Sequence, residues 1–185
     1  MSLKRFLTSL SVAVCLGVMA FQAHAQTPPS PIIAIVDVPG VIRKSEAAKT
    51  IGAQMETFRT RFDEEARGIE SQLRAQEQEL AAQRNALAAE VWDERRREFE
   101  SRVQSGQRDV QGRLRTLDRA YQGALRKVEL KLAEIIEGLA TERGVNLVLV
   151  ASAAVIYTPS MDLSEESLAR LNAALPSVTV ELTNQ

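Results

Sequence analysis

From Ser45 to Arg143 the chain runs for 99 residues without a proline, and the six glycines in that stretch stand singly. The remainder is dominated by Ala, Gln, Glu, Arg and Leu, all strong helix formers. Ser45, opening the segment SEAAK, is a helix-capping signal, and Gly144 after Arg143 is a stop signal. The stretch therefore predicts long, exposed helix.

The apolar residues decide how that helix is used. Phe58, Ile69, Leu80 and Val91 are spaced by eleven, as are Ile51, Phe62 and Leu73. The same spacing recurs in Phe99, Val110, Tyr121 and Leu132, in Trp92, Val103, Leu114, Leu125 and Ile136, and in Leu117, Val128 and Leu139. Eleven residues in three turns is about 3.67 per turn, close to a straight helix, so nearly straight legs with little left-handed supercoil are expected. A seven-residue spacing fits locally at Leu114, Tyr121, Val128 and Ile135. One continuous helix would leave its narrow stripe in water, whereas an antiparallel hairpin buries each half on the other. Asn85 is a candidate left-handed cap, RNALAAE interrupts the stripe, and Trp92 already keeps the register of the second leg. The tip is placed near 85–89, giving legs of roughly 60 and 80 Å.

The flanks read differently. IIAIV, Ile32 to Val36, is a buried strand, and Asp37 and Pro39 suit the start of a short helix ending near Arg43. After Gly144, VNLVLVAS and AVIYT read as two further strands, and PSMD as a turn. LSEESLARLNAAL is a helix with Ser164 as its cap and Leu168, Leu171 and Leu175 as its stripe. SVTVEL alternates Val178, Val180 and Leu182 with polar residues, a half-buried strand. The hairpin returns the chain to its starting point, so 32–36 can pair with strands near 146–150, 154–158 and 178–182. The expected fold class is α+β, with a small β body (32–44 and 144–185) built from both ends and a helical hairpin (45–143) inserted in it. So small a body is marginal alone and leaves apolar sheet edges. Both point to self-association, with Ile33, Ile35, Val148, Val150, Val178 and Val180 as the residues that would carry it.

The first residues have another purpose. Lys4 and Arg5 precede the mostly apolar run FLTSLSVAVCLGVMAF, and AHA ends at Ala25. This is the pattern of a cleaved secretory signal peptide, spanning 1–25, with 26–31 as a linker. Residues 26–185 then retain 21 basic and 24 acidic residues, a net charge of −3. Cys15 and His24, the only cysteine and histidine, leave with the signal. No thiol or imidazole remains for catalysis or metal ligation.

The segments IAIVDVPGVIRKSEAAK and NLVLVASAAVIYTPSMDLSEESLARLN, flanking a charged hairpin behind a signal peptide, resemble the Skp/OmpH family of periplasmic chaperones. The resemblance implies a homotrimer in which a β-barrel body carries three helical tentacles around a cavity. It also implies that the cavity holds unfolded outer-membrane proteins in the periplasm without ATP. Members are often strongly basic; here the charge is uneven instead. Residues 46–79 carry 5 basic and 8 acidic groups, and residues 101–131 carry 8 basic and 3 acidic.

Candidate client-binding residues follow from that asymmetry: Arg102, Arg108, Arg113 and Arg115 on the basic leg, and Trp92, Arg95, Arg96 and Arg97 near the tip. The tip arginines also offer charge to anionic lipid headgroups, although Asp93–Arg97 at i,i+4 suits a solvated face equally well. Enzymatic function is not expected, because the carboxylates of DEE (63–65) and DE (93–94) lie on exposed helix and no phosphate-binding glycine loop is present. Scattered acids supply no oxygen-ligand loop for a metal, so no cofactor is expected. The basic leg lacks the aromatic stacking surface of a nucleic-acid binder. The alternative to a chaperone is a structural coiled-coil adaptor or spacer holding a folded envelope partner.

Overall fold

The structure, a computed structural model, describes residues 30–182; the expected signal peptide and most of the linker lie outside them. Strand β1 (Ile33–Val36) leads into a short helix, α1 (Val38–Lys44). The legs of the hairpin are α2 (Glu46–Gln83) and α3 (Ala89–Glu142). Strand β2 (Leu147–Val150) and helix α4 (Ser164–Ala174) complete the body.

The hairpin brings β2 back beside β1 in parallel register, with Ile33 opposite Leu147 and Val36 opposite Val150. A parallel pair needs a long crossover, and here the two legs supply it. The other side of β1 is closed by a single bridge from Ile35 to Asp162 and by the Leu163 amide, which donates to Ile35 O at 2.9 Å. Ala34, Ile35 and Val36 are accordingly buried. The sheet has two strands among the described residues, not the four that the apolar runs suggest. Residues 154–158 form no strand, and Val155 and Ile156 project into solvent at 99% and 90% exposure. Residues 177–182 are extended but unpaired with either strand.

Local capping fixes the element boundaries. The Asp37 carboxylate accepts from the Gly40 amide at 3.0 Å; a Cβ at Gly40 would collide with that carboxylate. The buried Ser45 hydroxyl accepts from the Ala48 amide at 3.1 Å, and Asn172 on α4 accepts from the Glu46 amide at 2.9 Å. Two of the donors orphaned at the start of α2 are thus satisfied. Gly144, at φ +66°, ends α3 in the left-handed conformation that glycine adopts most easily. Ser164 is not a cap: its hydroxyl accepts from the Asp37 amide, and Asp162 accepts from the Ser164 amide at 2.8 Å. At the tip, Ala86 and Leu87 both donate to Gln83 O. No non-glycine among the described residues has positive φ, so Asn85 is not a left-handed cap.

The seam between the legs differs from the eleven-residue reading. From residue 62 to 87 the shielded positions are 62, 66, 69, 73, 76, 80, 83 and 87. From 99 to 124 they include 99, 103, 106, 110, 113, 117, 120 and 124. Both series advance by fours and threes in turn, a seven-residue repeat. A seven-residue repeat is the one that calls for left-handed coiling, and it differs from the eleven-residue spacing on which the expectation of straight legs rested. Only near the body does the step become four, at Ala120, Ala124, Val128 and Leu132. Val91, Leu114 and Tyr121, members of the eleven-spaced sets, are 42%, 61% and 36% exposed. Polar or small residues hold seam places instead: Ala66, Gln76, Gln83 and Gly106. A Cβ at Gly106 would lie 3.5 Å from an Ile69 methyl.

Candidate functional site

The hairpin tip packs around Trp92. Its indole N–H points at Leu80 O across the turn at 3.4 Å, and the Arg84 and Arg96 guanidinium groups lie 5.4 and 5.7 Å from its ring centre. The ring is half-buried in the seam, so Trp92 holds the tip together. Arg95 donates to Gln83 across the tip, and Arg96 pairs with Asp93 and Glu100 along its own helix. Arg97 is exposed and makes no ion pair among the described residues.

Midway along the hairpin, the basic leg forms one wall of an open groove of about 770 Å³. Arg108, Arg113, Arg115 and Arg119 line it from α3, and Arg61, Phe62 and Glu65 face them from α2. The fold divides these charges by task. Arg113 crosses to pair with Glu65 and lies over Phe62 at 5.4 Å, while Arg61 covers Phe58 and Phe62. Arg108 and Arg115 are exposed and make no ion pair among the described residues. Arg102 pairs loosely with Glu98 at 3.7 Å. The candidate residues thus gather in two places: Arg108, Arg113 and Arg115 line the mid-leg groove, and Arg95 and Arg102 line a smaller cleft nearer the tip.

The body offers a second surface. The outer edge of β2 has no strand partner among the described residues, and Leu147 and Val150 on it are 41% and 48% exposed. With Ile32, Val155 and Ile156 they leave apolar surface open to water. Of the six residues expected to associate, Val150 alone is exposed. Ile33 and Val148 are half-buried, and Ile35, Val178 and Val180 are buried within the chain. Within the single chain the last three belong to the core.

Sequence reading missed the reason Val178 and Val180 are buried. Residues 177–182 run as a strap down the root of the hairpin. Gln54 on α2 donates to Val178 O at 2.8 Å and accepts from the Val180 amide at 3.0 Å. Thr50 accepts from the Val178 amide at 3.4 Å. On the α3 side, Lys127 pairs with Glu181 at 2.8 Å, and this hydrogen bond and charge hold the Glu181 carboxyl below its ordinary range. Ala120, Gly123 and Ala124 line the cleft between α3 and the strap. A glutamine one turn after a threonine on a basal helix face was the available signal.

Arg170 on α4 pairs with Glu142 and Glu166, fastening α4 to the end of α3. That contact lowers the Glu142 carboxyl. Hydrogen bonds from Ser164 and Tyr157 likewise hold the Asp162 carboxyl below its ordinary range, against the opposing effect of burial. Among the described residues, no group of three or more His, Cys, Asp or Glu is placed to hold a metal ion. None of the described helices is long and apolar enough to cross a membrane.

A family model described as outer membrane protein (OmpH-like) matches residues 32–171. A crystal structure of a proposed outer membrane chaperone, OmpH-like, from Caulobacter crescentus superposes with a TM-score of 0.77 at 21% identity. The match covers 85% of this chain and 94% of that one, and establishes the fold. No curated protein matches the chain.

Proposed function

The chain belongs to the OmpH-like family, and from that premise we propose that it is an ATP-independent holdase of the periplasm. It keeps unfolded outer-membrane proteins soluble in a cavity between helical tentacles. The observation that carries this reading is the long hairpin itself. Its seam consumes most of the apolar side chains, and its outer faces present Arg, Gln and Ala to solvent. Long side chains of this kind lie along apolar client surface while their polar heads stay wet. Each contact contributes little, and an unfolded chain makes many at once. Arg97, Arg102, Arg108 and Arg115 belong to this distributed surface, with the basic groove favouring acidic segments. Release needs no nucleotide, because a client folding into the membrane withdraws its apolar surface.

Residues 1–25 direct export and are removed. Three copies associate through the open edge of β2 and the exposed Val155–Ile156 loop, since an unpaired apolar strand edge otherwise invites uncontrolled pairing. The tip arginines touch lipid headgroups transiently. No enzymatic activity and no cofactor belong to this reading.

The test is dilution of a urea-unfolded β-barrel outer-membrane protein into buffer without nucleotide, followed by light scattering. Added chain should suppress aggregation at near-stoichiometric amounts. Failure to suppress it, together with recovery of one stable folded partner from envelope extracts, would favour the adaptor reading.

A further inference from the structure

The strap at 177–182 lies beyond the family match, which ends at residue 171. It is bound in an unusual way for a terminal segment. The Gln54 amide bonds the carbonyl of one strap residue and the N–H of the residue two further on, as the peptide group of a neighbouring strand would. Val178 and Val180 point into the hairpin root at 6% and 4% exposure, while Thr179 and Glu181 line the outer cleft. The site therefore reads extended backbone through Gln54 and Thr50 and takes apolar residues at every second position. Of the side chains between them it engages Glu181 alone, through the solvent-exposed pair with Lys127. Small residues at Ala120, Gly123 and Ala124 leave room for the chain to lie close to α3.

That recognition is independent of sequence beyond the period of two. Strands destined for a membrane β-barrel carry the same period, apolar outward and polar inward. We propose that the groove between Gln54 of α2 and Ala120–Ala124 of α3 is a docking site for extended, alternating client segments, and that the strap is its displaceable internal occupant. This rests on the chaperone reading and gives it a defined site besides the distributed surface. The strap joins no strand ladder. It is held by three hydrogen bonds to two side chains, one solvent-exposed ion pair and the valine contacts, so a competitor of the same pattern replaces every contact except the ion pair. A strap seated about ten times more often than free lowers the apparent affinity for such a segment about tenfold. The client thus engages the root only when its local concentration is high, as it is once the tentacles have captured it.

The experiment follows the intact chain first. Hydrogen exchange of the Val178 and Val180 amides should accelerate when a urea-unfolded β-barrel protein is added, while the buried helical amides near Leu132 and Leu139 stay protected. Unchanged protection of both valines in the presence of bound client would overturn the proposal, leaving the strap as a permanent clamp. A chain ending at Pro176 should bind a labelled PSVTVEL peptide in trans, and a scrambled peptide without the alternation should not bind. Gln54→Ala in that shortened chain should abolish the peptide signal without loss of helical circular dichroism. If PSVTVEL and its scramble bind alike, the groove does not read the pattern and the proposal fails. If peptide binds as expected but neither chain retains unfolded protein, the groove stands and the chaperone reading falls.

Discussion

Two leucines on α3 separate the seven-residue seam from the eleven-residue one. Leu114 and Leu132 each belong to an eleven-spaced set, so apolar periodicity alone makes them equivalent. In the structure Leu132 is 1% exposed in the hairpin root and Leu114 is 61% exposed beside the seam. Truncating Leu132 removes three buried carbons from a packed cluster that includes Ile51, Val128 and Leu139. Leu132→Ala should therefore cost about 2–5 kcal/mol. Leu114→Ala removes atoms already in water, and alanine is at least as good a helix former, so the change should stay within about 0.5 kcal/mol. Urea unfolding followed by circular dichroism at 222 nm, at one fixed protein concentration, reads both differences as midpoint shifts. The concentration is held because any association through the body adds to apparent stability. Equal losses for the two variants would refute the seam placement and restore the eleven-residue packing.

Glycines give a second contrast: Gly68→Ala, in open space on α2, should raise stability by about 0.5–1 kcal/mol. Gly40→Ala, which forces the Asp37 carboxylate off its amide, should lower it by about 0.5–2 kcal/mol, both read by thermal denaturation. Acid should loosen the body, because Asp162 and Glu142 titrate below the ordinary carboxylate range when folded. Their contribution is complete above that range and is lost as pH falls through it and below; Asp162→Asn should flatten the acid limb of a midpoint-versus-pH curve. Reversing Arg108 and Arg115 together to Glu should weaken client binding more than either change alone and flatten its salt dependence, measured by client affinity at two ionic strengths, whereas abolition by one reversal would indicate a discrete pocket.

The long helices were legible because propensity, capping and the absence of proline all agree over 45–143. The β1–β2 pairing was legible for a similar reason, two short β-branched runs brought together by a crossover of the right length. The misreadings share a physical cause: a residue pattern reports what a segment would bury, not what it is buried against. AVIYT has strand propensity, yet within one chain nothing covers it, and Val155 and Ile156 stand in water. SVTVEL has the strand period, and its alternation is real, with Val178 and Val180 inward and Thr179 and Glu181 outward. Its hydrogen-bond partners are side chains of a helix rather than a sheet, which no periodicity encodes. Counting apolar residues likewise found the stripe and mistook its period, because Ala66, Gln76, Gln83 and Gly106 occupy seam places that an apolar count skips.

Those same residues explain why the two halves of the hairpin differ in character. At the root, Ile51, Leu117, Val128, Leu132 and Leu139 are at most 5% exposed, and the strap adds two valines from a third direction. Toward the tip every seam side chain remains partly exposed, and Gln76 presents an oxygen with no hydrogen-bond partner among the described residues. A buried polar atom left unpaired costs free energy, and Gly106 contributes no side chain to the interlock. Cohesion between the legs therefore falls with distance from the body. Opening at low free energy belongs to segments with few buried apolar contacts, which places it in the distal legs while the root stays closed. Under the proposed chaperone reading, a pair of legs anchored at one end and weakly joined at the other would adjust its spacing around clients of different bulk without disturbing the β1–β2 body that holds them.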